Sequence, residues 1–190
     1  SLILTQISVH AAMAGQRMAA ALQALEAGHQ AWAVGLLLAL FAALPVLTAM
    51  GAGRMADRHG YHRPVHVAVA LTVLGTGLAL LASWLPGWWR FAGLCIGAAA
   101  SGVGTNVALI AVQRTAGQLV TDSTERLRVF SWLGMAPSLA NVVGPVLAGF
   151  MIDSGGFASA YAVMMVLPYM ALWFARGVPA ESGRSEQRLT

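Results

Sequence analysis

Long apolar runs of roughly membrane length alternate with short polar or Gly/Pro-rich breaks along the whole chain. The runs fall at residues 2–25, 31–52, 64–85, 91–112, 129–152 and 158–175. The breaks are Glu26 to Gln30, residues 53–63, Pro86 to Arg90, Arg114 to Arg128, and Asp153 to Gly156. A helix of about 20 apolar residues crosses the hydrocarbon core of a bilayer. Lipid offers no water to an unpaired backbone group, so each crossing must be helical. The pattern therefore predicts an all-α polytopic membrane protein with six transmembrane helices. Barrel strands would show short alternating segments instead, and these are absent from the sequence.

Composition agrees with that reading. Apolar residues make up 58% of the chain and charged ones 9%, where a soluble domain carries about a quarter charged residues. The net charge of +4 raises the question of nucleic acid. However, lysine is absent, the arginines sit mostly at run ends, and no basic patch with interleaved aromatics exists. The expected partner is the lipid bilayer and not nucleic acid. The lone Cys95 excludes an internal disulfide and gives no metal-ligand spacing, which leaves it as a small packing residue. No metal or other cofactor is expected. Paired intramembrane carboxylates and a nucleophile–base set are also missing, so an enzyme is not expected.

The arginines set a sidedness. Arg54, Arg58 and Arg63 lie in the second break, Arg114, Arg126 and Arg128 in the fourth, and Arg176, Arg184 and Arg188 in the tail. A six-span path puts all three segments on one side, and the other side has only Arg90. The positive-inside rule makes the arginine-rich side and both termini cytoplasmic, in a plasma (inner) membrane. Trp84, Trp88 and Trp89 mark the opposite interface. Residues 1–176 are expected to form the bundle, and residues 177–190 a solvated tail or the start of a connection.

A short pattern recurs. Gly53-x-Met55-x-Asp57-x-x-Gly60 returns as Gly149-x-Met151-x-Asp153-x-x-Gly156, each time after the second helix of a three-helix set. Three is odd, so the copies face opposite sides of the membrane. That predicts two inverted three-helix repeats at about residues 1–85 and 86–176, a pattern typical of transporters.

Few polar residues are placed inside the runs. Gln6, His10 and Arg17 are spaced so that they share one helix face. An intramembrane arginine costs a few kcal/mol or more unless paired or hydrated, and so faces the bundle interior or a cavity. Asn106 and Gln113 offer a second polar face on the fourth run. No Asp or Glu lies deep in any run, so Arg17 needs an anionic solute or a carboxylate from elsewhere; a side chain snorkelling from a span end is the alternative. His10 reads either as a proton carrier or as a hydrogen-bonded structural histidine. Gly93-x-x-x-Gly97 and Ala140-x-x-x-Gly144 allow close helix approach, and Pro45, Pro137 and Pro145 should bend their helices.

The 53–63 break resembles the loop between helices two and three of the major facilitator superfamily. That family pattern is Gly, three residues, Asp-Arg, one residue, Gly, then basic residues. Gly53, Asp57, Arg58, Gly60 and Arg63 occupy those places, with Arg54 beside them and His62 where a second base usually stands. The fifth run is similar to the glycine-rich signature of the family's proton-driven exporters, which ends in Gly-Pro, two residues, Gly-Gly. Here it reads Gly144-Pro145-Val146-Leu147-Ala148-Gly149, with Ser131 and Ala140 where earlier glycines stand. Many members carry an arginine in the fourth span; Gly93 holds that position here, and Arg90 lies a turn nearer the outer interface. The resemblance implies the amino-terminal six-helix half of such a transporter. It would be a secondary active carrier of a small solute, working by alternating access with proton-coupled efflux, and its partner would be a complementary half or a second copy. It also implies that Asp57 latches against the other half. Organic-anion uptake and a non-transporting six-helix scaffold are the alternatives.

Overall fold

The computed structural model describes residues 1–119 and 123–178. These residues form five helical elements: α1 (Leu2–Glu26), α2 (Ala31–His59), α3 (His62–Ala82), α4 (Gly87–Leu119) and α5 (Ser123–Ala175). Among the described residues no strand occurs. The expected tail lies outside the described residues beyond Val178, as do Arg184 and Arg188.

Where six runs were expected, the structure draws five elements, because the last two join without a loop. Inside α5 only Gly156 leaves helical geometry, at φ 78° and ψ −176°. The chain reverses there. Ser159 Oγ–H donates to the Met151 carbonyl at 2.6 Å, eight residues back, where a continuous helix would hold the two about 12 Å apart. Four of the helices, α2 to α5, are long and apolar enough to cross a bilayer. The first is not among them, because Gln6, His10, Gln16, Arg17 and Gln23 interrupt its apolar run.

Those polar residues suit the position of α1, which is packed along α5 and also touches α4, α2 and α3. Thr5, Gln6, Gln16 and Gln23 are all buried. A buried amide is tolerated only when bonded, and Gln16 meets that condition. Its Nε2 donates to the Gly75 carbonyl of α3 at 3.2 Å, and its Oε1 accepts from Ser101 Oγ–H of α4. One side chain thus joins three helices in a region where lipid gives apolar surfaces no reason to associate.

Two buried tyrosines hold α1 near its ends. Tyr61 Oη donates to Thr5 Oγ1 at 3.1 Å, and Tyr161 Oη donates to Gln23 Oε1 at 2.9 Å. Around each lies its own apolar cluster. One gathers Val9, Tyr61, Val65, Val112, Leu133 and Ala175; the other gathers Ala20, Leu37, Phe91, Leu94 and Tyr161. Both arms of α5 contribute to the first, through Leu133 and Ala175.

Small residues set the closest helix contacts. A Cβ on Gly144 would overlap the Ala11 carbonyl oxygen, and one on Gly97 would overlap the Gly75 carbonyl oxygen. Ala140 and Ala148 are fully buried on the same strip of α5 as Gly144. The expected close approach at Gly93 and Gly97 is therefore present between α4 and α3. Gly53 behaves otherwise. Nothing lies within 4 Å of a Cβ placed there, so it mediates no close approach.

Candidate substrate and gating sites

The arginine-rich break is mostly helix and not loop. Gly53 to His59 continue α2, and His62 and Arg63 open α3, so the connection shrinks to Gly60 and Tyr61. Arg54, Met55 and Ala56 are good helix formers, and no proline or other strong breaker follows before Gly60. Gly60 is buried at φ 66° and ψ −153°, a region essentially confined to glycine. The backbone at Gly156 falls in the same region. Arg54, Arg58 and Arg63 are exposed. Burial pushes the Tyr61 hydroxyl above the ordinary tyrosine pKa, with the bond to Thr5 opposing, so it stays a donor.

Asp57 finds a partner on another helix. Arg114 Nε on α4 donates to its carboxylate at 2.8 Å. The contact thus runs to another helix and not to the arginines of its own break. An acid in the last turns of α2 faces the negative end of the helix dipole, and the guanidinium offsets it. The arginine is largely covered, its side chain 18% accessible, while that of Asp57 is 72% accessible. Arg114 also donates to Gln118 Oε1 at 3.2 Å.

Of the five residues expected to line a cavity, the structure brings only two together. Gln6 Nε2 and His10 Nδ1 are 3.0 Å apart, one turn from each other on α1. Gln6 Oε1 is buried without a hydrogen-bond partner among the described residues. Arg17 does not join them; its Nη2 donates to Asn141 Oδ1 of α5 at 3.0 Å. Asn106 turns to α2, where its Nδ2 donates to the Pro45 carbonyl at 3.2 Å. Gln113 is exposed.

The sequence reading missed Asn141, Gln16, Ser101, Gln23 and the role of Arg114 as partner. Asn141 had one available signal: it stands four residues before Pro145 in an otherwise apolar run. Beside it Ile3, Ile7, Trp132, Met135, Leu139 and Val142 line an apolar groove of about 380 Å³ between α1 and α5. The arrangement combines an apolar groove, an amide–guanidinium pair and a buried amide–imidazole pair along one helix. Such a surface suits the binding of a solute with apolar and polar parts.

Comparison with known proteins gives the same answer from another direction. The sequence profile described as the Major Facilitator Superfamily matches residues 2–189. A curated relative, the class B tetracycline resistance protein of Escherichia coli, is 30% identical over 145 residues. That match covers 74% of this chain and 34% of the relative, so it spans about a third of the relative's length. Membership points to a transporter and not a catalyst. The chain belongs to the Major Facilitator Superfamily.

Proposed function

We propose that this chain is the amino-terminal half of a secondary transporter that exports a small solute by alternating access, driven by protons. In this reading α1 to α4 give four membrane crossings, and the two arms of α5, residues 123–155 and 157–175, give two more. They form two inverted repeats, about 1–85 and 86–176, with both termini on the cytoplasmic side of the inner membrane. The matching backbone at Gly60 and Gly156, at equivalent places in the repeated pattern, supports it. A complementary six-helix half or a second copy completes the cavity.

The observation that carries the reading is Arg17. It sits two-thirds of the way along a helix that packs on all four others, and a neutral asparagine is its hydrogen-bond partner. A guanidinium held by an amide keeps donors for a transient anionic group. Gln6 and His10 lie on the same helix, and the orphaned Gln6 Oε1 is an acceptor ready for a solute or a proton donor. The ion pair of Asp57 with Arg114 is the gating element: it ties α2 to α4 and must release when those helices part.

The relative's name makes tetracycline the first solute to try. Bacteria expressing the full-length protein should accumulate less tetracycline than control cells, and collapsing the proton gradient should erase the difference. Arg17→Ala should abolish export while membrane yield stays at the wild-type level. Unchanged export in Arg17→Ala would remove the residue from the site. A second reading, uptake of organic anions, is favoured by the lack of an acidic partner for Arg17 among the described residues. It predicts inward flux of the anion, which Arg17→Ala would remove.

A further inference from the structure

Away from the Asp57 end, the end of the bundle marked by Trp84 and Trp88 holds a cavity of about 350 Å³. It forms where the end of α1, the α3–α4 turn and the Gly156 break of α5 meet. Glu26 and Arg90 both line it, and they do not pair with each other. Arg90 uses Nε on the Leu85 carbonyl at 2.9 Å, which leaves its two terminal nitrogens without partners among the described residues. Glu26 has no hydrogen-bond or ion-pair partner among the described residues either. Gln23 lies deeper, 4% exposed, with its Oε1 taken by Tyr161. Its amide N–H groups remain as donors on the same wall.

From this arrangement we propose that the cavity is a binding site for a small zwitterion, one carrying an ammonium and an anionic group on a partly apolar skeleton. The ammonium meets the Glu26 carboxylate. The anion meets the terminal nitrogens of Arg90 and the Gln23 amide, and Phe157 and Trp84 cover the apolar part. Two opposite charges that share one recess of ligand size, yet leave each other unpaired, remain available to a third party that carries both complementary charges. The Gly156 turn matters because its reversal opens the recess: a straight α5 would have no wall there. The site uses none of the residues assigned to transport above, so binding here can fail while transport stands, and the reverse.

The test is equilibrium dialysis of radiolabelled L-phenylalanine against the full-length protein in nanodiscs of anionic lipid. Phenylpropionate and phenethylamine serve as analogues with one charge each. Saturable phenylalanine binding is expected, weakened by about tenfold or more in Glu26→Gln and in Arg90→Ala. Glu26→Gln should also weaken phenethylamine but spare phenylpropionate, and Arg90→Ala should do the opposite. A general loss of structure would weaken all three alike, and Glu26 is exposed, so its variant should fold. The headgroup of a zwitterionic lipid offers the same chemistry as a free solute. If that is the resident, phenylalanine binding should weaken when the nanodisc lipid is changed to phosphatidylethanolamine; if the solute is, it should not. Absence of saturable binding in anionic nanodiscs, or binding indifferent to both substitutions, overturns the proposal.

Discussion

Gly60 and Gly156 end the same sequence pattern and adopt nearly the same backbone, yet their surroundings differ. At the first, the aspartate three residues earlier reaches another helix and binds Arg114 at 2.8 Å. At the second, the bonds are local: Ser154 Oγ–H to Phe150 O at 2.9 Å, and Ser159 Oγ–H to Gly156 O at 2.7 Å and to Met151 O. Asp153 is exposed with no ion pair among the described residues. One junction is buried and tied across helices, the other is exposed and tied to itself. A repeated sequence pattern thus fixes a turn, while the charges around it decide whether the turn can also couple helices.

The largest effect expected from this contrast is on stability. Alanine at either glycine must adopt a conformation that L residues avoid, at a cost of about 1–3 kcal/mol. Gly60 is buried and its turn sets the distance between α2 and α3, whereas a Cβ at Gly156 meets open space. Gly60→Ala should therefore lower the thermal midpoint of the purified protein more than Gly156→Ala does. Size-exclusion profiles after a temperature series measure this. An equal or greater loss in Gly156→Ala would break the comparison.

The middle effect separates stability from transport. The Asp57 side chain is largely solvated, so its ion pair is worth under about 1 kcal/mol. Asp57→Asn should leave the thermal midpoint within error of wild type. Solute flux should fall sharply, because a neutral amide cannot switch the Arg114 contact on and off with the same energy. Arg114→Gln should do likewise, and the double variant should be no worse than either single, as for residues acting as a pair. Additive losses of flux would show that the two residues act separately.

These contrasts also show what the chain reveals before folding. Helix positions were legible, because runs of apolar residues bounded by Gly and polar breaks have few alternatives in lipid. The pattern at Asp153 to Gly156 was legible as a break, although a single glycine makes it and no loop follows. The extension of α2 through Asp57 was not, since a cluster of charged residues between two glycines reads as loop although Arg54, Met55 and Ala56 favour helix. Pairings were the least legible. Arg17 and Asn141 lie 124 residues apart, and Asp57 and Arg114 lie 57 apart. Periodicity gives the face a residue occupies on its own helix but not which helix comes to meet that face. Hence Gln6 and His10, one turn apart, do meet, while Arg17 turns to Asn141 and Asn106 to the Pro45 carbonyl.

The smallest expected effect is the most discriminating. If the repeat copied function along with sequence, Asp153 would serve the opposite face of the membrane as Asp57 serves its own, and Asp153→Asn would impair transport. Among the described residues Asp153 has no arginine to hold, and its neighbours satisfy themselves through hydroxyl bonds to carbonyls one or two turns away. A carboxylate with no ion-pair or hydrogen-bond partner among the described residues has no contact here to break when helices move. Asp153→Asn should accordingly leave both the thermal midpoint and solute flux unchanged under the assay in which Asp57→Asn loses flux. A matching loss in both variants would mean that Asp153 finds a partner beyond the described residues, and that the asymmetry of the two junctions belongs to the described residues alone.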